Sequence, residues 1–537
     1  MDLSIVIVSY NVKDFLRGAI ASVKRSLAAG GLDGEIIIVD NNSADGSVAM
    51  VRSEFPDVLL HALDANLGFG RANNIALREA KGDYMLLLNP DTILGEDTLS
   101  TMLAFLREHP EAGLAGCKLL NGDGTFQLSC RRGFPTPWAS FTKLFGLARL
   151  FPNSKLFARY NLTFLPVDET YEVDALGGAF MMLSRPALEA SHGFDEDFFM
   201  YGEDLDLCYR VKQSGFNVFY VPTTATVHFK GESTKRSAVN EVQLFYEAMH
   251  VFVKKHYRAS FFFSALLRVG IMLRSALAVL RKYRSSVSLA GIDFLIVALS
   301  VLVGSQVQFN TWFGLPAEDY PFALILPSAM VVTLLAILRA YRPGGRATAR
   351  PVLIAVPAIL IGLSSLTYFF KEFPASRSFV IIVTCVMGAM LLLDRFGIAV
   401  LGRLARGTSL NPQRRRALIV GTDIEALRIA ALLARRELLQ RFEVVGMIDR
   451  SLDRLGAEVS AGLCIVGDTN MVGKVVREKR VAEVIFPSGS VSYTEVLAIM
   501  QRTSSENPSL RVNFSMVPAA SDVLLGKQSI ELLTETA

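Results

Sequence analysis

The sequence predicts an α/β domain, then a membrane-spanning helical segment, then a second α/β domain. Residues 1–255 alternate short apolar runs with amphipathic stretches, a pattern typical of strands and helices in turn. Residues 286–405 are almost continuously apolar, and the α/β alternation returns from Ala417. The mean hydropathy of +0.36 argues against disorder and against a purely soluble enzyme.

Composition also restricts the partners and the compartment. The formal net charge is only +4, too small to indicate a nucleic-acid binder. The five cysteines lie far apart with no CxxC pair, so they predict neither a disulfide framework nor a zinc site and favour a reducing compartment. The chain enters an apolar strand pattern at Leu3 without a basic leader, so we expect the first domain to stay in the cytoplasm.

Six short apolar runs are the predicted strands that fix the two α/β domains. They are Leu3–Val8, Glu35–Val39, Tyr84–Leu88, Ala417–Val420, Val444–Ile448 and Glu483–Phe486. The basic stretch Asn411–Arg416 marks the start of the last domain. We therefore divide the chain into a domain at 1–255, a basic helix at 256–285, membrane helices at 286–405 and a Rossmann-like domain at 411–537.

Four apolar runs are candidates for membrane spans, each of which needs about 20 apolar residues. They are Leu289–Phe309, Phe322–Tyr341, Pro351–Phe370 and the shorter Phe379–Leu393. The loop Arg339–Arg350 carries four arginines and no acid, and Arg395–Arg416 carries six arginines, which predicts a cytoplasmic location for both termini. Arg268 and Arg274 interrupt a fifth apolar run, so 256–285 is interpreted as a basic helix lying in the membrane interface rather than as a fifth span.

Acidic and amide side chains follow two of the strands predicted in the first domain. Asp40 comes directly after one strand, and Asn89-Pro90-Asp91 follows another. In open α/β sheets the ligand crevice lies beyond the carboxyl ends of the strands. A carboxylate there accepts hydrogen bonds from a base or ribose, or holds a divalent cation on a diphosphate.

Taken together and in this order, these segments resemble the family 2 glycosyltransferases of GT-A fold. The resemblance covers about Asp2 to Tyr257 and extends to a Gly-Gly loop at Gly177 and an acidic motif at Glu203. Asn89-Pro90-Asp91 stands where the family has its Asp-x-Asp metal motif, so only Asp91 supplies a carboxylate. Within the family the chain looks most like rhamnosyltransferases.

The resemblance implies a role for each of 15 positions. Asp204 is the general base, Asp91 and His228 hold Mg²⁺ or Mn²⁺, and Gly177, Gly178 and Glu203 line the acceptor side. The nucleotide-sugar donor is expected to contact Ser9, Asn11, Asp40, Asn66, Gly68, Arg71, Asn73, Asn89 and Asp174.

Several of these roles have a structural alternative. Asp204 is either the base or a capping carboxylate of a helix, and Glu203 and Asp206 either raise the pKa of the base or solvate the helix start. His228 is either a ligand or a structural histidine. Phe198, Phe199 and Tyr201 form either an acceptor platform or ordinary core.

The start of the last domain has the strand–turn–helix layout of a dinucleotide-binding fold but keeps only its first glycine, Gly421. Asp423 stands where pyrophosphate would approach the backbone, so we expect a non-catalytic domain without nucleotide affinity. Residues 286–537 resemble, more loosely, the N-terminal half of polyisoprenyl-phosphate hexose-1-phosphate transferases. The carboxylates expected to carry the transfer all precede residue 210, which predicts that the last domain is dispensable for chemistry.

These observations predict an inverting glycosyltransferase of a bacterial-type inner (plasma) membrane, multi-pass, with both termini cytoplasmic. Its expected substrates are a nucleotide-sugar, by resemblance a rhamnose donor, and a polyprenyl-linked or saccharide acceptor of cell-surface polysaccharide biosynthesis. Other assembly enzymes are expected partners, and nucleic acid is not. The alternatives are a relative of the hexose-1-phosphate transferases and a membrane scaffold of the assembly machinery.

Overall fold

The computed structural model describes residues 1–229, 251–256, 286–341, 349–369, 376–407, 414–435, 441–460, 462–510, 512–518, 523–526 and 530–532. The chain forms two compact units. One combines Met1–Arg268 with Gln413–Ala537, and the other is Val269–Pro412. The predicted order of an α/β segment, apolar helices and a second α/β segment is confirmed. The basic helix predicted at 256–285 lies, except for its first residue, outside the described residues.

The strands and helices of the first segment alternate as the sequence predicts. Its strands are β1 (Leu3–Ser9), β2 (Gly34–Asp40), β3 (Leu59–Ala62), β4 (Tyr84–Leu88), β5 (Thr92–Leu94), β6 (Ala112–Asn121), β7 (Arg131–Arg132), β8 (Tyr171–Glu172), β9 (Ala175–Leu176), β10 (Phe180–Ser184) and β11 (Asn217–His228). Its helices are α1 (Lys13–Gly30), α2 (Ser47–Glu54), α3 (Phe69–Glu79), α4 (Thr98–Glu108), α5 (Pro137–Leu144), α6 (Leu147–Leu150), α7 (Arg185–Ser191) and α8 (Glu203–Gln213), with a 3₁₀ turn at Leu128–Cys130.

The main sheet of this segment has the strand order β3-β2-β1-β4-β10-β6-β11-β5, with β8 paired to β11. Its first four strands are parallel, whereas β10 is antiparallel to both neighbours. The parallel strands are buried on both faces and therefore consist of nearly continuous apolar residues, as in Ile5-Val6-Ile7-Val8. The order reverses between β1 and β4, which places a ligand crevice beyond the carboxyl ends of these strands.

The last segment is a second α/β fold. Its elements are β12 (Arg415–Val420), α13 (Ile424–Leu433), β13 (Phe442–Asp449), a 3₁₀ turn at Leu452–Arg454, β14 (Glu458–Ser460), β15 (Leu463–Asp468), α14 (Val472–Lys479), β16 (Glu483–Pro487), α15 (Tyr493–Glu506), β17 (Asn513–Val517), β18 (Val523–Leu525) and β19 (Ile530–Leu532). The order β14-β15-β13-β12-β16-β17-β18-β19 contains five parallel strands and matches the predicted Rossmann-like arrangement.

The two α/β segments share one apolar core. Phe15, Ile93, Leu120, Val227 and Phe229 of the first segment are buried in the same cluster as the apolar residues of α14, α15 and β16. The strand β5 lies at the edge of the first sheet, and an unpaired edge must be covered or blunted. The sequence treats 1–255 and 411–537 as separate domains, whereas the structure joins them through this shared core.

The other unit contains the apolar helices α9 (Ser286–Phe309), α10 (Tyr320–Ile337), α11 (Arg350–Phe369) and α12 (Arg377–Gly407). Within the described residues, α9, α10 and the Arg377–Ile398 part of α12 are long and apolar enough to cross a membrane. The predicted span Pro351–Phe370 corresponds to the shorter apolar stretch Arg350–Leu366 of α11, whereas Phe379–Leu393, expected to be the shorter run, lies within Arg377–Ile398. Three of the four predicted spans therefore meet the length criterion in the structure.

A buried ion pair connects two of these helices. Arg395 on α12 donates to Asp293 on α9 at 2.5 Å, and both side chains are at most 2% exposed. The hydroxyl of Tyr341 donates to the same Asp293 oxygen at 2.7 Å. Since charges are costly in an apolar interior, each of them depends on its partner.

We predict that Arg395→Met destabilises this unit by about 3–5 kcal/mol, because it leaves the Asp293 carboxylate buried without a counter-charge. Adding Asp293→Asn should restore most of the loss, since the amide oxygen still accepts from Tyr341. Thermal unfolding in detergent measures both variants, with the exposed Arg377→Met as the control. Equal melting temperatures for the single and double variants would contradict this role of the pair.

Candidate functional site

The candidate site lies where β1, β2 and β4 end. Asp40 is the last residue of β2, and Asn41, the next residue, donates its backbone amide to the Ser9 carbonyl at the end of β1, 2.8 Å away. Asn89-Pro90-Asp91 follows β4 and precedes β5. The parallel register therefore brings residues that are distant in sequence to one edge of the sheet, as expected for this strand order.

Asp40 is 2% exposed and has one oxygen with a partner and one without. Its Oδ2 accepts from the Ser43 amide at 2.8 Å. Among the described residues, neither Asp40 Oδ1 nor the buried Ser9 hydroxyl has a hydrogen-bond partner. Buried polar atoms are rarely left unpaired, so these two groups are suited to a polar ligand such as a base or ribose.

Asn41 connects the β2 end to the loop before α3. Its Nδ2 donates to Asn66 Oδ1, and its Oδ1 accepts from the Leu67 amide, both at 2.8 Å. Gly68 adopts φ +86°, and a Cβ there would lie 2.5 Å from the Phe199 carbonyl oxygen. This close approach requires glycine, so Gly68 packs the loop against the segment before α8.

The remaining donor-side residues have protein partners in the structure. Asn11 Oδ1 accepts from the Ala44 amide at 2.8 Å, and Asp174 Oδ2 accepts from the Phe134 amide at 3.2 Å. Arg71 Nε lies 3.5 Å from Glu196 Oε2 at the surface, and the side-chain Nδ2 of Asn73 donates to the Phe69 carbonyl within α3. Their roles toward a donor stay predictions.

Asp91, His228 and Asn89 form a compact group beside the β5–β11 pair. His228 Nε2 lies 3.3 Å from Asp91 Oδ1 and 3.3 Å from Asn89 Nδ2. His228 Nδ1 lies 2.9 Å from Gln127 Oε1, which accepts a hydrogen bond from that nitrogen. This contact orients Nε2 toward Asp91. Histidine ligands of metals are oriented in the same way, by a hydrogen bond from the other ring nitrogen.

One carboxylate and one imidazole are fewer protein ligands than a dedicated metal cage uses. Among the described residues no group of three or more His, Cys, Asp or Glu side chains could hold a metal ion. This donor set fits a Mg²⁺-type cation that takes its other ligands from phosphates and water, because such ions are bound by one or two carboxylates plus substrate.

Asp204 lies at the first turn of α8 and is 8% exposed. Its Oδ2 accepts from the Gly178 amide at 3.0 Å and from the guanidinium of Arg132. Its Oδ1 accepts from the amide of Leu205 at 2.8 Å. Arg132 in turn donates to the Leu176 carbonyl at 2.9 Å, so the carboxylate is anchored to the Gly-Gly loop.

The pKa of Glu203 is changed by its surroundings, which include the neighbouring Asp204. Burial and the negative charge of Asp204 raise the pKa of Glu203 to about 8, so this carboxyl carries a proton at neutral pH. Its Oε2 has no hydrogen-bond partner among the described residues. Glu203 therefore adds no second negative charge to the acidic motif at neutral pH.

The other candidates near this motif have structural roles. Asp206 is fully buried and accepts from Arg210 at 2.7 Å, Lys255 at 2.8 Å and His256 at 2.6 Å, which ties α8 to residues 251–256. Phe198 is 3% exposed and belongs to the main core, whereas Phe199 is 45% exposed. Of the predicted aromatic platform, Phe199 is therefore the member most available to an acceptor.

Sequence reasoning missed Arg132, Gln127 and Asn41. Arg132 follows Arg131, a fully buried arginine whose guanidinium lies over the rings of Phe126, Tyr171 and Tyr220. Two adjacent arginines in a segment without acids were a signal that acidic partners lie elsewhere in the fold. Gln127 and Asn41 carried no such signal, because single amides are common in turns.

In the last segment, the Asp423 carboxylate is hydrogen-bonded within the protein at the turn that precedes α13. Its Oδ1 accepts from the Ala426 amide at 2.8 Å, capping α13, and from the Ser490 hydroxyl at 2.9 Å. Gly421 adopts φ +124°, and a Cβ there would lie 2.4 Å from the Ser490 side chain. This geometry agrees with the physical reason for predicting weak nucleotide affinity, which itself stays a prediction.

A cavity of about 270 Å³ lies apart from these residues, between α1 and the last segment. Its lining is mainly apolar and includes Ile93, Phe486, Tyr493, Met516 and Leu525. None of the predicted site residues lines this cavity.

Three family models match parts of this chain. Residues 4–185 match the model of glycosyl transferase family 2, and residues 159–232 match the N-terminal domain of galactosyltransferase. Residues 322–513 match a CoA-binding domain. The first two matches together cover the β1, β2 and β4 ends, the Gly-Gly loop, the acidic motif and His228.

Curated relatives are similar over the first segment. An N-acetylglucosaminyl-diphospho-decaprenol L-rhamnosyltransferase of Mycobacterium tuberculosis is 28% identical over 261 residues, covering 45% of this chain and 84% of the relative. Rhamnosyltransferase WbbL of Escherichia coli is 31% identical over 172 residues, covering 30% and 61%. Among solved structures, S. aureus TarS 1–349 aligns with a TM-score of 0.33 and 14% identity over 72% of this chain and 90% of that one.

The pKa of Glu203 predicts a pH-dependent stability. The folded chain holds this proton up to about pH 8, whereas the unfolded chain releases it near the ordinary value of 4.5. Between these values the folded state binds more protons, so its stability falls as pH rises, by at most about 1.4 kcal/mol per pH unit.

Glu203→Gln stays neutral and should lose this slope. Between pH 5.5 and 7.5 the free energy of unfolding of the variant, relative to the wild type, should rise by about 2–3 kcal/mol in urea titrations. The exposed Glu169→Gln is the control and should follow the wild type. Parallel pH profiles for Glu203→Gln and the wild type would mean that Glu203 is ionised in the folded chain.

Proposed function

We propose that this chain, whose first segment is a family 2 glycosyltransferase domain, transfers a sugar with inversion from a nucleotide-sugar to a lipid-linked saccharide. The chain is a glycosyltransferase of the kind that builds cell-surface polysaccharides. The observation that carries the proposal is the placement of Asp204. Its carboxylate is buried and accepts hydrogen bonds from Gly178 and Arg132.

Inverting transfer needs one base, which takes the proton of the acceptor hydroxyl as its oxygen attacks the anomeric carbon. We assign this step to Asp204, whose three donors fix its position before the acceptor arrives. Glu203 is protonated beside it and adds no second negative charge. The bond to the nucleoside diphosphate breaks as the new glycosidic bond forms, and the proton of the hydroxyl ends on the Asp204 carboxylate.

The donor side is assigned to the ends of β1 and β2 and to the Asp91–His228 pair. Asp40 and Ser9 carry the polar atoms that lack a protein partner among the described residues, so they suit the nucleoside. Asp91 and His228 would hold a divalent cation, which is common in this family and neutralises the leaving diphosphate. Which cation is used, Mg²⁺ or Mn²⁺, belongs to the proposal.

The sugar and the acceptor are proposed from the relatives. The names of the mycobacterial and E. coli relatives specify rhamnosyl transfer, and the former names a diphospho-decaprenol acceptor. We assign this chain a rhamnose donor, dTDP-rhamnose, and a polyprenyl-diphosphate-linked saccharide acceptor. Partner enzymes of polysaccharide assembly stay an expectation from the sequence.

We also propose that the chain crosses the inner membrane four times, with both termini cytoplasmic. Three apolar helices of sufficient length support association with a membrane, where a lipid-linked acceptor resides. The arginine-rich segments around residues 339–350 and 395–416 support the orientation, since basic loops stay in the cytoplasm.

Asp204→Asn should lower transfer by roughly 10²–10⁴-fold, the usual contribution of a general base, because an amide accepts no proton from the acceptor. Binding of the nucleoside diphosphate should persist, since the carboxamide oxygen of the variant still accepts the hydrogen bond from Gly178. Steady-state kinetics and calorimetry test the two expectations. The exposed Asp197→Asn is the matched control, and near-normal turnover of Asp204→Asn would place the base elsewhere.

Asp91→Ala should weaken donor binding that depends on a divalent cation, because the remaining His228 supplies only one protein ligand. Titration of transfer and of nucleoside-diphosphate binding with Mg²⁺ and Mn²⁺ measures the effect. The exposed Asp64→Ala serves as the control. Transfer by the wild type that is unaffected by EDTA would rule out the cation assignment.

A further inference from the structure

The strand pair that carries Asp91 and His228 also forms the contact with the last α/β segment. His228 is opposite Thr92 in the antiparallel β5–β11 pair, and Val227 is opposite Ile93. The Phe229 amide donates to the Asp91 carbonyl at 2.9 Å. Asp91 and His228 are therefore held at one end of this two-stranded edge.

Side chains alternate between the two faces of a strand, and this alternation decides what each residue touches. Val227 and Phe229, on either side of His228, are buried in the core shared with the last segment, as is Ile93. Phe229 also packs on Phe15 of α1, with ring centroids 5.3 Å apart. The face opposite His228 is thus covered by the last segment.

A second contact fixes the other end of β5. Glu96 Oε1 accepts from the Tyr493 amide, and Glu96 Oε2 accepts from the Thr494 amide, both at 2.8 Å. These are the first two amides of α15, which lack partners within their own helix. The Glu96 carboxylate therefore caps a helix of the last segment and interacts favourably with its dipole.

The contact with the last segment favours the ionised form of Glu96. Burial opposes ionisation, but the amides of Thr494 and Tyr493 outweigh it and hold the pKa of Glu96 below its ordinary value. The Thr494 hydroxyl adds a bond to Asp97 at 2.8 Å. At Gly124 a Cβ would lie 2.5 Å from the Met500 carbonyl, so the two segments approach closely there as well.

We propose that the last α/β segment is a positioning element of the transferase site: by covering the β5–β11 edge and docking its helix α15 on Glu96, it holds Asp91 and His228 in place for the diphosphate. The inference rests on the proposed function. It replaces the expectation that the last segment is dispensable, because its removal would expose Ile93, Val227 and Phe229 to water.

The test loosens this contact from both sides without touching the site. Glu96→Ala removes the cap from the first segment, and Thr494→Val removes the hydroxyl from the last segment while keeping the side-chain shape. The matched control is Glu108→Ala, an exposed glutamate at the end of α4. All variants are made in the full-length chain, purified in detergent.

Hydrogen exchange measures the loosening independently of activity. In Glu96→Ala the amides of residues 92–94 and 226–229 should exchange faster, whereas those of β1 and β2 should not change. Ile93→Ala, which removes contact area from the shared core, is the second variant and should raise exchange at the same amides. Unchanged exchange in both variants would overturn the proposal.

Kinetics separates positioning from a merely structural contact. The KM for the nucleotide-sugar and the cation concentration for half-maximal rate should rise about 5- to 20-fold in Glu96→Ala and Ile93→Ala, with the acceptor KM unchanged. In the combined Glu96→Ala/Thr494→Val variant, the fold-increase of the donor KM should be smaller than the product of the increases in the two single variants, because both changes break the same contact.

Besides unchanged exchange, three further results would contradict the inference. They are faster exchange with unchanged donor and cation requirements, a parallel rise of the donor and acceptor KM, and fully independent effects of Glu96→Ala and Thr494→Val. A failure of the proposed function is distinguishable from these, since it would appear as absent transfer by the wild type. In that case calorimetric binding of a nucleoside diphosphate with Mn²⁺ replaces the donor KM, and affinity that is equal in wild type and variants would overturn the inference.

Discussion

The contact on which the site depends is the hydrogen bond from the Gly178 amide to the Asp204 carboxylate. The next residue of the same loop, Ala179, accepts from the Asn89 amide at 3.1 Å, and Asn89 lies beside His228. One short loop thus connects the proposed base to the proposed diphosphate side. Arg132 donates to the same carboxylate, so Asp204 has little freedom to move away from the acceptor.

This arrangement places two adjacent acids in different surroundings. Asp204 receives three donors, whereas Glu203 is buried next to it with an oxygen that has no partner among the described residues, so burial and repulsion keep Glu203 protonated. The environment therefore keeps Glu203 neutral beside Asp204, the proposed base, which the sequence motif alone does not distinguish.

The parts of the fold that the sequence predicted are those with local signals. The β1, β2 and β4 runs are apolar and buried on both faces, so the sequence pattern locates these strands. Asp40 and Asp91 stand at or just after strand ends, so their positions could be predicted as well. Arg132 and the shared core did not follow, because they depend on contacts between distant segments. Ile93, in particular, looks like an ordinary core residue of its own domain, and only the structure shows that it faces the last segment.

The central claim is that this geometry performs a single displacement at the anomeric carbon with Asp204 as the base. The most direct measurement is the anomeric configuration of the product, determined by NMR after the purified chain has acted on a nucleotide-sugar and a polyprenyl-diphosphate-linked acceptor. The account predicts a glycosidic bond whose configuration is opposite to that of the donor. A product that retains the configuration of the donor would contradict it, since retention requires a different route through the site.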